Sequence, residues 1–192
     1  EIEGGRVGRR ALAKLGPLKL RGIKGGRKAR REFIDETLES MAQTMGEQKN
    51  RLFLVGGSWR AIARIDMERR GYPLRVLHEY RMTTRDVQAT AEFVRVSDLQ
   101  ELRAQTNISA ARMELVPLAS EVLRRLVRKF RPRDIAISAY GIREGLLYEQ
   151  MPQRLRDRDP LIEACRFAGP KMRGSPGVVA ASTVSSRRFS AA

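Results

Sequence analysis

The sequence has few side chains that bind metals or form disulfides. Its 192 residues include one cysteine, Cys165, and one histidine, His78. A single cysteine excludes an internal disulfide and a multi-cysteine zinc site, and a single histidine excludes a histidine cluster and an H-E-x-x-H zinc motif. Cys165 follows the apolar residues Leu161 and Ile162 in a helical pattern, so we expect it to fill a small core position.

Aromatic side chains and long apolar stretches are also scarce. Phe, Trp and Tyr make up 6% of the residues, which weakens the case for single-stranded nucleic-acid binding by base stacking. No apolar run reaches the roughly 18 residues of a membrane span, and no signal peptide opens the sequence. We therefore expect a cytoplasmic protein without a membrane partner.

Positive charge is what the sequence has in excess. The formal net charge is +16 and the sequence pI is about 11.1, in a chain whose 42% hydrophobic residues are typical of a globular protein. Such basicity indicates a polyanionic partner such as nucleic acid, polyphosphate, a nucleotide or an acidic membrane surface, without choosing among them. The alternative is a genome that prefers arginine to lysine.

Apolar periodicity predicts an α/β architecture with a largely parallel sheet. Apolar residues at three- and four-residue steps from Ala29 to Met45 predict a helix that Gly46 ends. Leu52 to Val55 and Asp134 to Ser138 are short runs typical of buried parallel strands, and each leads through a glycine turn into a helix. Two such units separated by helices are the pattern of a parallel sheet.

Three further segments complete the organisation. The turn Glu3-Gly4-Gly5 is expected between two short strands, and Leu77 to Met82 is expected to form an edge strand. From Gly169 onward the sequence is rich in Ser, Ala, Gly and Arg, has no acidic residue and shows no periodicity. We interpret this tail as disordered.

The glycine turn Gly56-Gly57-Ser58 is the first candidate for a binding site. A strand-to-helix turn leaves the first helical N–H groups unpaired, with the positive end of the helix dipole behind them. Glycines let a phosphate approach the backbone closely, and Ser58 adds a hydroxyl donor. The alternative is an ordinary tight turn with Ser58 as the N-cap, and the motif alone does not decide between the two.

A second turn, Gly141-Ile142-Arg143-Glu144-Gly145, places a cation and a carboxylate at the start of a helix. Arg143 can clamp a phosphate through its planar guanidinium, and Glu144 can order Arg143, or a water or magnesium ion near the phosphate. In isolation, a carboxylate favoured by the helix dipole beside a solvated arginine is the better interpretation.

Both turns are expected to face one cleft, because the carboxyl ends of parallel strands meet at the same sheet edge and ligand sites lie there. Arg112 can reach that cleft or lie on the surface, and its position alone favours the surface. A basic cluster is interpreted as a solvated face first and a polyanion-binding track second. Its members are Arg124, Arg125, Arg128, Lys129, Arg131 and Arg133.

Two sequence blocks resemble the later motifs of the exopolyphosphatase and guanosine-pentaphosphate phosphatase family. They are LVGGSWRAIAR at 54–64 and ISAYGIREGLLY at 137–148, of which the REGLLY part is the most specific. Shorter similarities lie at 5–8, 15–18 and 159–162. The order and spacing of the blocks agree with the family over about residues 5 to 166.

The resemblance implies a fold, an activity and a set of site residues. The fold is α/β, a partial actin-like domain of the ribonuclease-H-like, sugar-kinase and actin superfamily, with additional helices and a disordered C-terminal tail. The activity is magnesium-dependent release of the terminal phosphate of inorganic polyphosphate, or of the 5′ γ-phosphate of guanosine pentaphosphate. The implied phosphate- and substrate-binding residues are Gly56, Gly57, Ser58, Gly141, Arg143, Glu144 and Arg112.

Several family features have no counterpart in this sequence. The first domain with its general-base glutamate, the triple-glycine phosphate loop and its acidic magnesium-binding partner are missing. We therefore expect residues 1–166 to form the second half of an actin-like phosphatase domain and 167–192 a disordered basic tail, which a frameshift would explain. Catalytic residues remain unassigned, Mg²⁺ ligands are expected outside this chain, and the chain alone is expected to be inactive.

Other partners follow from charge rather than from the resemblance. A basic module that binds polyanions or nucleic acid without catalysis is the alternative from a different class, although nucleic acid is not favoured. A homodimer is left open.

Overall fold

The computed structural model describes residues 2–3, 6–46 and 50–168. The chain divides into two compact units, Glu1–Gly141 and Ile142–Ala192. The predicted turn glycines Gly4 and Gly5 lie outside the described residues. Of the tail expected to be disordered over 167–192, Phe167 and Ala168 instead belong to a helix, and residues 169–192 lie outside the described residues.

The first unit contains most of the regular structure. In chain order its elements are β1 (Ile2–Glu3), β2 (Arg6–Val7), α1 (Pro17–Arg21), α2 (Gly26–Met45), β3 (Leu52–Val55), α3 (Gly57–Arg69), β4 (Tyr80–Met82), α4 (Thr84–Val96), α5 (Leu99–Thr106), α6 (Ala110–Met113), α7 (Val116–Phe130) and β5 (Ile135–Ser138). The second unit contains α8 (Ile142–Gln150), α9 (Gln153–Arg156) and α10 (Pro160–Ala168).

The larger sheet is mixed rather than largely parallel. Its order is β3-β5-β4, with β3 parallel and β4 antiparallel to the central β5. In β4 the buried Tyr80 and Met82 alternate with the exposed Arg81, the pattern of an antiparallel edge strand with one solvated face. The prediction of an edge strand in 77–82 is therefore correct for its last three residues.

Both strands of the parallel pair were expected to be buried on both faces. This expectation is correct for β5 and wrong for β3. In β5, Ile135, Ala136 and Ile137 are all at most 1% exposed. In β3 only Leu54 is buried, whereas Phe53 and Val55 are about half exposed, at 54% and 53%. The reason is position, because β5 is central while β3 is an edge strand whose Leu54 side alone joins the main hydrophobic core.

Helix α2 confirms the helix predicted from apolar spacing. It ends at Met45, and Gly46 follows with a φ of 68°, a conformation that glycine adopts without steric cost. Ile34 and Leu38, one turn apart, are buried in a second hydrophobic cluster with Leu20 of α1 and Val122 of α7. This cluster attaches α2 to α7.

The second unit corrects one sequence expectation. Cys165 lies in helix α10 as expected, but its side chain is exposed rather than part of a core. Burial of Cys165 was expected because its neighbours in the sequence are apolar. Apolar neighbours do not show which side of a helix is covered by other elements. None of the helices in the described ranges is both long and apolar enough to cross a membrane.

A fully buried carboxylate joins three elements of the first unit. Asp66 of α3 has no exposed surface. It accepts hydrogen bonds of 2.7 Å each from the hydroxyls of Tyr80 in β4 and Thr90 in α4, and from the guanidinium of Arg69. Arg70 adds a weaker contact at 3.4 Å. Burial raises the pKa of the Tyr80 phenol and its hydrogen bond to Asp66 raises it further, so this hydroxyl stays a donor.

We expect Asp66→Asn to destabilise the protein strongly. The amide brings its own donors to a site already filled with donors, and Tyr80 and Thr90 lose a charged acceptor, which together cost about 3 kcal/mol. Urea unfolding would measure the loss. Glu92→Gln is the control, since it breaks an exposed ion pair with Arg95 and should have a much smaller effect. Equal losses in the two variants would contradict the role given to Asp66.

Candidate phosphate-binding site

Strands β3 and β5 end side by side. Val55 and Ser138 are aligned in the parallel register, so the chain leaves both strands at the same edge of the sheet. Gly56 follows one strand and Ala139 the other. This carboxyl edge is where open α/β sheets bind their ligands.

Gly56 makes the turn from β3 into α3. Its φ of 134° lies where residues with a side chain are strained, so glycine is required by the geometry. Gly56 is the N-cap residue, which makes Ser58 the second residue of the helix, and the alternative in which Ser58 is the N-cap is wrong. No side chain among the described residues caps α3, and its first amides retain the capacity to bind an anion.

Arg112 lies directly over Gly57. A Cβ added at Gly57 would be 3.2 Å from Nε, 3.3 Å from Nη2 and 3.4 Å from Cζ of Arg112. A glycine is thus what lets this guanidinium approach the start of α3. The structure places Arg112 at the turn, on the short helix α6 that precedes α7.

A cavity of about 240 Å³ adjoins this contact. Arg60, Arg64 and Arg112 supply its charged lining, and a guanidinium nitrogen of Arg60 donates to the carbonyl of Ala139 after β5. Among the described residues, neither Arg64 nor Arg112 forms an ion pair. The remaining lining is apolar and comes from Ala61, Leu77, Ile108 and Ala139. Because its described lining includes three cations and no carboxylate, the cavity suits an anion.

Arg60 and Arg64 were not among the sequence candidates, although both fall within the first similarity block. Their spacing contains the signal. Arg60 lies one turn after Gly57, and Arg64 lies one turn further on the same face of the helix. Two arginines four residues apart on a helix that follows a glycine turn therefore favour an anion site that includes both side chains.

The second predicted turn is divided between the two units. Gly141 ends the first unit, whereas Arg143 and Glu144 lie in the first turn of α8, in the second unit, with exposed side chains. The expectation that Arg143 and Glu144 face the same cleft as Gly57 therefore stays a prediction. The residues that the structure brings together are the turn Gly56-Gly57-Ser58 and Arg112.

The cavity does not suit Mg²⁺. This ion prefers carboxylate and carbonyl oxygens, but no carboxylate is found among the described lining residues, and the carbonyl of Ala139 already accepts a hydrogen bond from Arg60. Within the described ranges, no group of three or more His, Cys, Asp or Glu side chains is placed to hold a metal ion. The magnesium ion that the resemblance implies remains a prediction, with ligands outside this cavity.

A family model decides the assignment. The model of the Ppx/GppA phosphatase family matches residues 24–154, which include the glycine turn, Arg112 and the start of α8. The chain belongs to the Ppx/GppA phosphatase family. A comparison with curated proteins gives no match.

Solved Ppx/GppA structures have a similar fold. The type II variant of the Aquifex aeolicus Ppx/GppA phosphatase aligns with a TM-score of 0.55 at 15% identity, over 72% of this chain and 48% of that one. An exopolyphosphatase from Cytophaga hutchinsonii aligns with a TM-score of 0.54 at 18% identity, over 62% of this chain and 39% of that one. These likenesses show an actin-like α/β fold. The chain spans less than half the length of these solved structures.

We expect Gly56→Ala to destabilise the protein by roughly 1–3 kcal/mol, because alanine is strained at a φ of 134°. Urea unfolding measures the change. Gly22→Ala is the matched control, since Gly22 has a φ of −75° that any residue adopts. The control should stay within about 0.5 kcal/mol of the wild type. A neutral Gly56→Ala would show that the turn tolerates another conformation.

Proposed function

We propose that this chain holds the terminal phosphates of a phosphoanhydride substrate, and that the substrate is inorganic polyphosphate. The observation that carries the proposal is the meeting of the start of α3 with Arg112 and Arg60 at one sheet edge. Membership of a phosphatase family supports a phosphate ligand over other anions. The chain would form the second half of an actin-like phosphatase domain.

Two features of the cavity lining, together with the start of α3 that Arg112 also contacts, suit a terminal phosphate. Backbone amides at the start of α3 can donate to its oxygens, and the helix dipole favours negative charge there. Arg112 presents a planar guanidinium that can bind two oxygens at once. Arg60 is held in place by the carbonyl of Ala139, so little ordering is needed when the anion binds.

The lining favours a phosphate chain over a nucleoside. None of the described residues that line the cavity is aromatic, and its apolar side chains Leu77 and Ile108 offer no flat surface for a base to stack on. Guanosine pentaphosphate remains the alternative substrate, with its base bound outside this cavity.

In the part of the chain that the structure describes, no carboxylate lines this cavity to activate water. A general base and any magnesium ligands of the complete enzyme would have to come from elsewhere. We therefore propose that this chain by itself binds phosphate chains without hydrolysing them. Magnesium-dependent phosphate release from polyphosphate by the purified chain, above a contaminant control, would contradict this part of the proposal.

Binding of inorganic tripolyphosphate tests the site directly. We expect Arg112→Ala to weaken binding by about tenfold, since a charge-assisted contact is lost. Gly57→Ala should also weaken it, because the new methyl group displaces the guanidinium of Arg112, while thermal stability changes little. Arg103→Ala, on the exposed surface of α5, removes the same charge elsewhere and should have little effect. Isothermal titration calorimetry in low salt measures the tripolyphosphate affinity of the wild type and of the three variants.

A basic module without a defined phosphate site predicts a different result. Affinity would fall steeply with salt, and Arg103→Ala would weaken binding as much as Arg112→Ala. Equal losses would reject the proposed site and support the alternative.

A further inference from the structure

The basic cluster at the end of α7 borders a second cavity, which the proposed function does not use. This cavity has a volume of about 580 Å³, within the range of small-molecule sites. It lies between α2, α4 and α7. Since β5 begins shortly after α7 ends, the cavity is at the amino end of β5, whereas the phosphate-binding site is at its carboxyl end.

Charges in this cavity are only partly balanced. Arg125, Arg128, Lys129 and Arg131 contribute four cations, and Asp35 and Glu39 of α2 contribute two carboxylates. Asp35 pairs with Arg125, and Glu39 pairs with Lys129. Among the described residues, Arg128 and Arg131 form no ion pair. The cavity therefore keeps two uncompensated guanidinium groups.

Arg131 has a backbone conformation that is unusual for a residue with a side chain. Arg131 is the C-cap of α7 and has a φ of 47°, in the left-handed region. Glycine is the usual residue in that conformation, and other residues there are strained. An arginine at this position gives up the easier backbone and places a cation at the cavity.

The other walls suit a compact ligand. Thr84, the first residue of α4, and Gln88, one turn later, add a hydroxyl and an amide. Leu38, Val127 and Pro132 supply apolar lining. The carboxylates of Asp35 and Glu39 would repel an extended nucleic-acid backbone that followed the cavity, whereas a small anion can contact Arg128 and Arg131 alone.

We propose that this cavity is a second anion site that binds a small diphosphate. Arg128 and Arg131 both line this cavity, and a ligand with two adjacent phosphate groups offers each guanidinium an acceptor for a bidentate contact. The site is separate from the one at Gly57 and does not depend on the proposed function. Its occupation would also brace α2 and α4 against α7.

Titration of the full 192-residue chain with inorganic pyrophosphate, followed by the backbone amide signals in NMR spectra, tests the proposal. We expect saturable shifts at Thr84, Gln88, Arg128 and Arg131. Arg131→Gly should weaken this binding by about tenfold and leave the fold intact, because glycine prefers the backbone conformation found there. Arg128→Ala provides a second variant without that backbone change.

Arg133→Ala is the control, because it removes the same charge from an exposed side chain that does not line the cavity. Unchanged signals at the cavity, or equal weakening by Arg133→Ala and Arg131→Gly, would overturn the proposal. Shifts confined to Gly57 and Ser58 would overturn it while leaving the phosphate-binding site in place. Tighter binding of a short RNA than of pyrophosphate at the same residues would also reject a small-ligand site.

Discussion

The buried carboxylate of Asp66 is the interaction on which the first unit depends. A charge without contact with water is costly unless donors surround it, so α3, β4 and α4 must pack in the arrangement that brings Tyr80 and Thr90 to it. This packing fixes the direction of α3. The start of α3 lies about 14 Å away along the helix, where Gly57 meets Arg112. The candidate site is therefore positioned by an interaction that takes no part in binding.

The arginines that produce the large positive charge fall into two groups. Some are neutralised within the fold. Glu121, for example, accepts hydrogen bonds from Arg124 and Arg125, and although burial alone would raise its pKa, these bonds outweigh burial and lower it. Others, such as Arg112 and Arg131, lie beside cavities and form no ion pair among the described residues. The net charge indicated a polyanionic ligand. The positions of the arginines without an ion pair indicate which surfaces would bind it.

Prediction from the sequence succeeded where one segment contains its own signal. The α2 helix and its end at Gly46, and the strand–glycine turns after β3 and β5, follow from short-range spacing. It failed where burial depends on distant segments. Phe53 looked buried in an apolar run but lies on an edge strand, and Cys165 looked like a core residue but is exposed. Apolar spacing reports what a segment can bury, and it does not report whether a neighbour covers it.

The sequence by itself determined the α/β class, the Gly56-Gly57-Ser58 turn, the excess of positive charge and the family. The tertiary structure decided that the sheet is mixed, that the exposed Arg112 lies over Gly57, and that Arg60 and Arg64 join it around a cavity. Glycine turns and helix periods arise from local backbone sterics, which a few neighbouring residues specify. Contacts between segments far apart in the chain depend on the packing of the whole unit, so no local pattern contains them.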